Sequence, residues 1–418
     1  MENFNSYGFI IQASVVLIIS YFFNIISRKT NIPSVLMLIL LGFLIKHALH
    51  YAGYENFELY PVLEVLGIIG LIMIVLEAAL DLKITREKYS FILKSLGIAL
   101  ISLVVTSVLL SYLLSWYLHA EFFNALIYAI PLSIVSSAIT IPSVVNLQPA
   151  KREFMIYEST FSDILGIMVF YFLIESMNIT GAWNVTLNIT GSFLITVVVS
   201  LLASYLLVFL FQSIKSEIKL FVLIAALIIL YSIGKLLHLS SLLVILIFGL
   251  VLDNHHIFFR GRLKRFLNQA AVKTIYTNFK LVTFESSFVV RTFFFVVFGM
   301  SLTLGTLLNR RVFLSSMAIL IIIYGIRYIT LRVILGKHMF PEIFTAPRGL
   351  ITILLFYAIP AEYQIPEFES GILLYTIIIS SVMMAFALIR NGRENSEENL
   401  DKADLTEVTT SSINNPKQ

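Results

Sequence analysis

The chain has 418 residues, of which 58% are hydrophobic and 13% charged, about half the charged fraction of a soluble globular protein. Long apolar runs recur from Tyr7 to Ile389, so the length does not divide into soluble domains and the chain reads as an all-α polytopic membrane protein. Cysteine is absent, which excludes disulfide scaffolds and thiolate chemistry, and a net charge of +4 spread over membrane loops gives no footprint for nucleic acid.

A helix that crosses a bilayer needs about 20 mainly apolar residues. About 13 predicted transmembrane helices meet that need, at 7–27, 33–50, 62–80, 91–117, 122–146, 153–175, 189–212, 218–235, 238–253, 280–303, 312–335, 344–361 and 368–389. Residues Met1 to Ser6 hold no basic residue ahead of the first run, so no cleavable leader is expected. Residues 1–390 are read as one transmembrane domain. The polar stretch 391–418, with no aromatic residue, is read as a disordered tail.

Polar residues punctuate these spans in a definite order. The third carries Glu77. The fifth holds Ser136–Ser137–Ala138–Ile139–Thr140–Ile141–Pro142–Ser143, rich in hydroxyls. Pro142 cannot donate to the helix ladder, so a break is predicted at Ile141 and Pro142. The carbonyls it frees are tolerable at membrane depth only inside protein or around a cavity. The sixth span contains Glu158–Ser159–Thr160–Phe161–Ser162–Asp163. Ser159 and Asp163 share one helix face, as do Glu158 and Ser162. A hydroxyl beside a carboxylate suits a hard monovalent cation, and also a proton competing for the same oxygen. The tenth span carries Glu285 and Arg291, the eleventh Arg327, and the twelfth a second break at Pro347–Arg348–Gly349. Arg348 is always charged and calls for a carboxylate partner. Ionisable groups at this depth are functional candidates by default; the competing explanation is a polar cluster that glues helices together. The seven histidines show no metal-binding spacing, and no Walker or dinucleotide motif occurs, so neither a structural metal nor a cofactor is expected.

Two further patterns organise the spans. Alternate connections hold 22 basic residues, among them Arg28, Lys29, Lys88, Lys151, Arg152 and Lys273, against 4 on the other side, Lys46, Lys235, Arg310 and Arg311. That bias predicts an outside amino terminus and a cytoplasmic carboxyl terminus in the plasma (cell inner) membrane. In addition, Pro33–Ser34–Val35–Leu36 leading to Gly42 matches Ser240–Ser241–Leu242–Leu243 leading to Gly249. The offset is 207 residues, and it also sets Ile141 against Arg348. That offset advances seven helices, an odd number, so the second copy is inverted. Two inverted-topology repeats, about 33–175 and 238–390, with paired broken helices in spans 5 and 12, are how secondary transporters place a site at the midplane.

On these motifs the chain resembles the monovalent cation:proton antiporter superfamily, and most of all its NhaP-type sodium/proton exchangers, over about residues 10–390. Leu76–Glu77–Ala78–Ala79–Leu80 is similar to that branch's third-helix FEGGL, Glu158 to Asp163 to its ESLLND, and Arg348–Gly349 to its twelfth-helix RG. The resemblance implies a Na+/H+ antiporter rather than an enzyme, acting as a homodimer. It makes Asp163 the shared proton and Na+ site, completed by Ser159, Ser162 and the backbone around Thr140, and braced by a Glu158–Arg348 ion pair. Glu77 and Arg291 would be auxiliary charges. The chain departs from the pattern twice: Ile141 stands where the family has aspartate, and Ser162 where it has asparagine. K+/H+ exchange, and a transport-inactive homologue, therefore stand as alternatives.

Overall fold

The computed structural model describes residues 6–30, 32–51, 60–82, 88–177, 182–213, 219–236, 241–259, 268–302, 309–336 and 339–413. Ser240 and several basic residues of the connections, among them Lys83, Arg86, Lys215, Arg260 and Lys417, lie outside the described residues. Among those described there is no strand. The helices are α1 (Ser6–Thr30), α2 (Ser34–Tyr51), α3 (Tyr60–Asp81), α4 (Tyr89–Leu118), α5 (Phe122–Ser133), α6 (Ser137–Ser143), α7 (Pro149–Ser176) and α8 (Ala182–Ser213). They continue with α9 (Lys219–Leu236), α10 (Ser241–Asp253), the single turn α11 (His255–Phe258), α12 (Gln269–Ser301), α13 (Arg310–Leu335), α14 (Leu350–Tyr357) and α15 (Gly371–Ile413).

All thirteen predicted spans are met by helix. Among the described residues nine helices are long and apolar enough to cross a membrane, counting α5 and α6 together. Three shorter apolar helices, at Val65–Leu80, Leu220–Gly234 and Leu242–Asp253, supply spans three, eight and nine. The twelfth is an extended stretch that leads into α14. These helices are apolar nearly all round, because lipid and protein interior both accept hydrocarbon.

Packing sorts the helices into two groups. α4, α5, α6, α7, α13, α14 and α15 form one; α1, α2, α3, α8, α9, α10 and α12 form the other, and contacts between the groups are sparse. The 207-residue offset carries α2 onto α10 and α3 onto α12. The dense α2–α12 contact is matched by an α3–α10 contact, so the first helix of each repeat packs on the second helix of the other. Gly42 and Gly249, equivalent under the offset, sit in these two seams. A Cβ on Gly42 would lie 2.0 Å from the Val296 carbonyl oxygen, and one on Gly249 would lie 2.5 Å from Ala79 Cβ. Small residues let membrane helices approach this closely.

The fifth span breaks earlier than Pro142 suggests. Residues Ile134–Ser136 are extended, and Ile141 and Pro142 both sit inside α6, at its end. Backbone partners explain the position. The N–H groups of Val135, Ser136 and Ser137 donate to Ser162 Oγ (2.9 Å), Pro347 O (2.9 Å) and Asp163 Oδ2 (3.0 Å) respectively. Three consecutive donors leave the helix ladder because tertiary acceptors take them, a pairing invisible to local proline chemistry. The twelfth span breaks at Thr345–Gly349, which contains Pro347 and Gly349. At the other end, α15 runs on to Ile413 through the stretch whose composition reads as disordered; after Gly392 no glycine or proline interrupts it before Pro416.

Candidate functional site

The two breaks meet. Ser136 donates its N–H to the carbonyl of Pro347, so the extended segments touch backbone to backbone in the middle of the first helix group. Gly349 makes the approach possible: a Cβ there would stand 2.6 Å from Ile139 Cδ1 and 2.7 Å from Ser136 Oγ. Each break is also tied to the helix that follows it. Ser137 N–H is held by Asp163 of α7, and Arg348 N–H by Ser380 Oγ of α15 at 3.0 Å. The repeats thus use the same device with a carboxylate in one copy and a hydroxyl in the other.

Asp163 is 2% exposed. Its Oδ2 accepts from Ser137, the first residue of α6, where unpaired N–H groups and the helix dipole favour negative charge. Its Oδ1 is buried with no hydrogen-bond partner, and so are the hydroxyls of Ser136, Thr140 and Thr352. Ser162 reaches the same break through the Val135 bond. Ser159 lies one turn earlier and donates its hydroxyl hydrogen to the Met155 carbonyl at 2.8 Å, which leaves its lone pairs free. Unsatisfied oxygens buried together are costly unless something binds them, and oxygens of this kind suit a hard cation or a proton.

The buried ion pair differs from expectation. Glu158 pairs with Arg327 of α13, not with Arg348: Arg327 Nη1 donates to Oε1 at 2.5 Å and Nη2 to Oε2 at 2.9 Å. The two side chains are 1% and 2% exposed. Arg327 also donates to the carbonyls of Glu342 (3.0 Å) and Thr345 (3.3 Å). Arg348 instead gives its guanidinium to the carbonyls of Leu132 (2.8 Å), Ser133 (3.3 Å) and Ala346 (2.6 Å). Leu132 and Ser133 end α5, so the cation caps a helix C-terminus whose carbonyls the break has released. Arg327 was visible in the sequence as a charge within an apolar run; the choice between two arginines for one carboxylate was not.

Glu77 and Arg291, singled out separately as auxiliary charges, face each other: Arg291 Nη2 lies 3.5 Å from Glu77 Oε1, each side chain 16% exposed. They line a cavity of about 250 Å³ bounded by α1, α2, α3, α6 and α12, into which Ser137 and Ile141 also face. The cavity occupies the halves of α1, α2, α3 and α6 nearest the connections rich in basic residues. Ser137 joins it to the carboxylate, because its N–H holds Asp163. Glu285 lies away from this wall, exposed on α12.

Two broken helices crossing beside a buried carboxylate, in a polytopic all-helical chain with inverted repeats, define a secondary transporter and not an enzyme. The sequence profile of one family, described as sodium/hydrogen exchanger, transmembrane, matches residues 14–390. The chain belongs to that family. Its fold is that of the sodium proton antiporter MjNhaP1 from Methanocaldococcus jannaschii. The structure of that antiporter at pH 8 superposes with a TM-score of 0.69 at 21% identity, covering 91% of this chain and 98% of the other. A structure of MjNhaP1 from an electron-microscopy map gives 0.65 at 21% identity over all of both chains. No curated protein sequence matches the chain.

Proposed function

We propose that this protein exchanges Na+ for H+ across the membrane by alternating access, one for one, with Asp163 as the site both ions share. The observation that carries this reading is the Asp163 carboxylate at the helix crossing, one oxygen held by the Ser137 N–H and the other buried without a protein partner. A bare carboxylate is costly to move through a low-dielectric barrier. Either a proton or a cation on Oδ1 removes that charge, so each occupant licenses the movement and excludes the other. In this reading Ser159, Ser162 and the backbone around Thr140 complete the cation's shell. Glu158 and Arg327 neutralise each other, which leaves Asp163 as the charge that changes hands. One negative charge against one cation or one proton gives no net current.

The sparse contact between the helix groups supports movement of the group holding Asp163 against the group holding the cavity wall. The bias of basic residues supports an outside amino terminus and a cytoplasmic carboxyl terminus in the cell inner membrane, with residues 1–390 as the exchanger domain and 391–418 as a cytoplasmic tail. The family likeness supports a homodimer with one site per protomer. Ile141, apolar on the cavity wall, favours a second reading in which K+ is the cation.

The test is cation-induced pH change in sealed proteoliposomes, with Na+, Li+ and K+ added in turn, with and without a potential clamp. Na+ is expected to collapse the pH gradient regardless of the clamp, and Asp163→Asn to abolish the response in correctly inserted protein. Exchange that survives in Asp163→Asn refutes the assignment. A response to K+ alone selects the second reading, and sensitivity to the clamp overturns the one-for-one count.

A further inference from the structure

Arg291 differs from the other intramembrane arginines in how it is held. Arg327 makes two close bonds to Glu158 in a fully buried setting, and Arg348 is held by three carbonyls, one to each of its nitrogens. Arg291 meets Glu77 through a single contact at 3.5 Å, longer than the 2.7–2.9 Å of a tight charge-assisted bond. Glu77 Oε2 is buried with no hydrogen-bond partner. The pair stands on the cavity wall with Ser137 and Ile141, on the approach to Asp163, and Ser20 and Thr292 beside it are bonded to each other at 2.7 Å. The chain therefore combines a loose ion pair with a half-satisfied carboxylate on the wall of the cavity that reaches Ser137, the residue whose N–H holds Asp163.

We propose that Arg291 is a tethered surrogate cation: it occupies Glu77 in competition with the incoming ion and so sets the affinity with which the cavity accepts a cation. This rests on the exchanger reading given above. The charge arithmetic follows from the contacts. With the pair intact, Glu77 and Arg291 cancel, Glu158 is paired with Arg327, and Asp163 is the one carboxylate of the cavity and the crossing left without a cationic side chain against it. Removing Arg291 leaves Glu77 open and raises the count to two. Removing Glu77 instead leaves Arg291 facing the route, where it repels the ion. Ile141 puts no charge on the same wall, so nothing else there offsets either change. Arg291 is thus an affinity-setting residue that never has to touch the ion.

The experiment is Na+-dependent proton flux in proteoliposomes, with KM measured for wild type, Arg291→Gln, Glu77→Gln, the double variant and Arg291→Lys. Arg291→Gln is expected to lower KM for Na+ and Glu77→Gln to raise it, each by about two- to fivefold, the range of a partly exposed charge pair. The double variant should return towards the wild-type value, and Arg291→Lys should keep it. A structural role for the pair gives a different pattern: both single variants would lose protein yield and maximal rate together, with no opposite displacement of KM. That pattern, or KM displaced in the same sense by both charge removals, overturns the proposal. If wild type exchanges Na+ and Asp163→Asn does not, such a result sinks this inference alone. If wild type moves no cation, the exchanger reading itself has failed.

Discussion

Glu158→Gln tests the buried ion pair, which the sequence placed on the wrong arginine. The substitution keeps the shape of the side chain and removes its charge, leaving Arg327 with its bonds to the Glu342 and Thr345 carbonyls but no counter-ion. Both partners are essentially inaccessible to water, and breaking such a pair from one side costs about 3–5 kcal/mol. For 418 residues, an unfolding entropy of about 2.1 cal/mol/K per residue gives roughly 0.9 kcal/mol/K, so the midpoint should fall by about 3–6 °C. Thermal unfolding of purified protein in detergent, followed by scanning fluorimetry, reads this directly. Replacing both residues by methionine removes the stranded charge together with its partner and should recover most of the loss. The recovery stays incomplete because the two carbonyls lose their donor. The reasoning is refuted if Glu158→Gln melts with the wild type, or if the two methionine substitutions destabilise additively instead of compensating.

Gly349→Ala places a methyl group 2.6–2.7 Å from Ile139 and Ser136, so it should force the two extended segments apart and abolish exchange; a wild-type flux in proteoliposomes would contradict the observed crossing. Gly42→Ala drives its methyl group to 2.0 Å from a backbone carbonyl on α12, where only helix displacement relieves the clash, and a loss of roughly 1–3 kcal/mol in stability is expected as for other overpacked sites. Monodisperse protein melting at the wild-type temperature would speak against that seam. Ser162→Ala strands the buried N–H of Val135, at a cost of about 1–3 kcal/mol, and should weaken Na+ affinity by loosening the break that positions Asp163. Unchanged KM for Na+ would separate Ser162 from the site.

The spans were legible because the bilayer imposes one length and one composition on every crossing, and the repeat was legible because Gly42 and Gly249 mark equivalent seams. The site was legible where the chemistry is carried by residues close in sequence, as with Ser159, Ser162 and Asp163 on one face of α7. It was not legible where the decision is made by partners far along the chain. The break in the fifth span sits at Ile134–Ser136 because acceptors on α7 and at Pro347 claim three backbone donors; Pro142 announced a break without locating it. Arg327 and Arg348 are both buried cations, and only their positions relative to Glu158 and to the end of α5 settle which forms an ion pair and which caps a helix. The same holds for Glu77 and Arg291, more than 200 positions apart in the chain and adjacent in the cavity wall.

The exchange of partners between the repeats has a consequence for biogenesis. α2 emerges early from the ribosome, yet the groove that receives Gly42 is formed by Val296 of α12, about 250 residues further on. Until then this face of α2 has only lipid or a chaperone to rest against, and the first repeat cannot complete its packing by itself. Chains truncated anywhere before α12 should therefore insert with correct topology but remain substrates for membrane quality control. Delivering the missing half as a separate polypeptide should rescue them, since membrane helices insert individually before they associate.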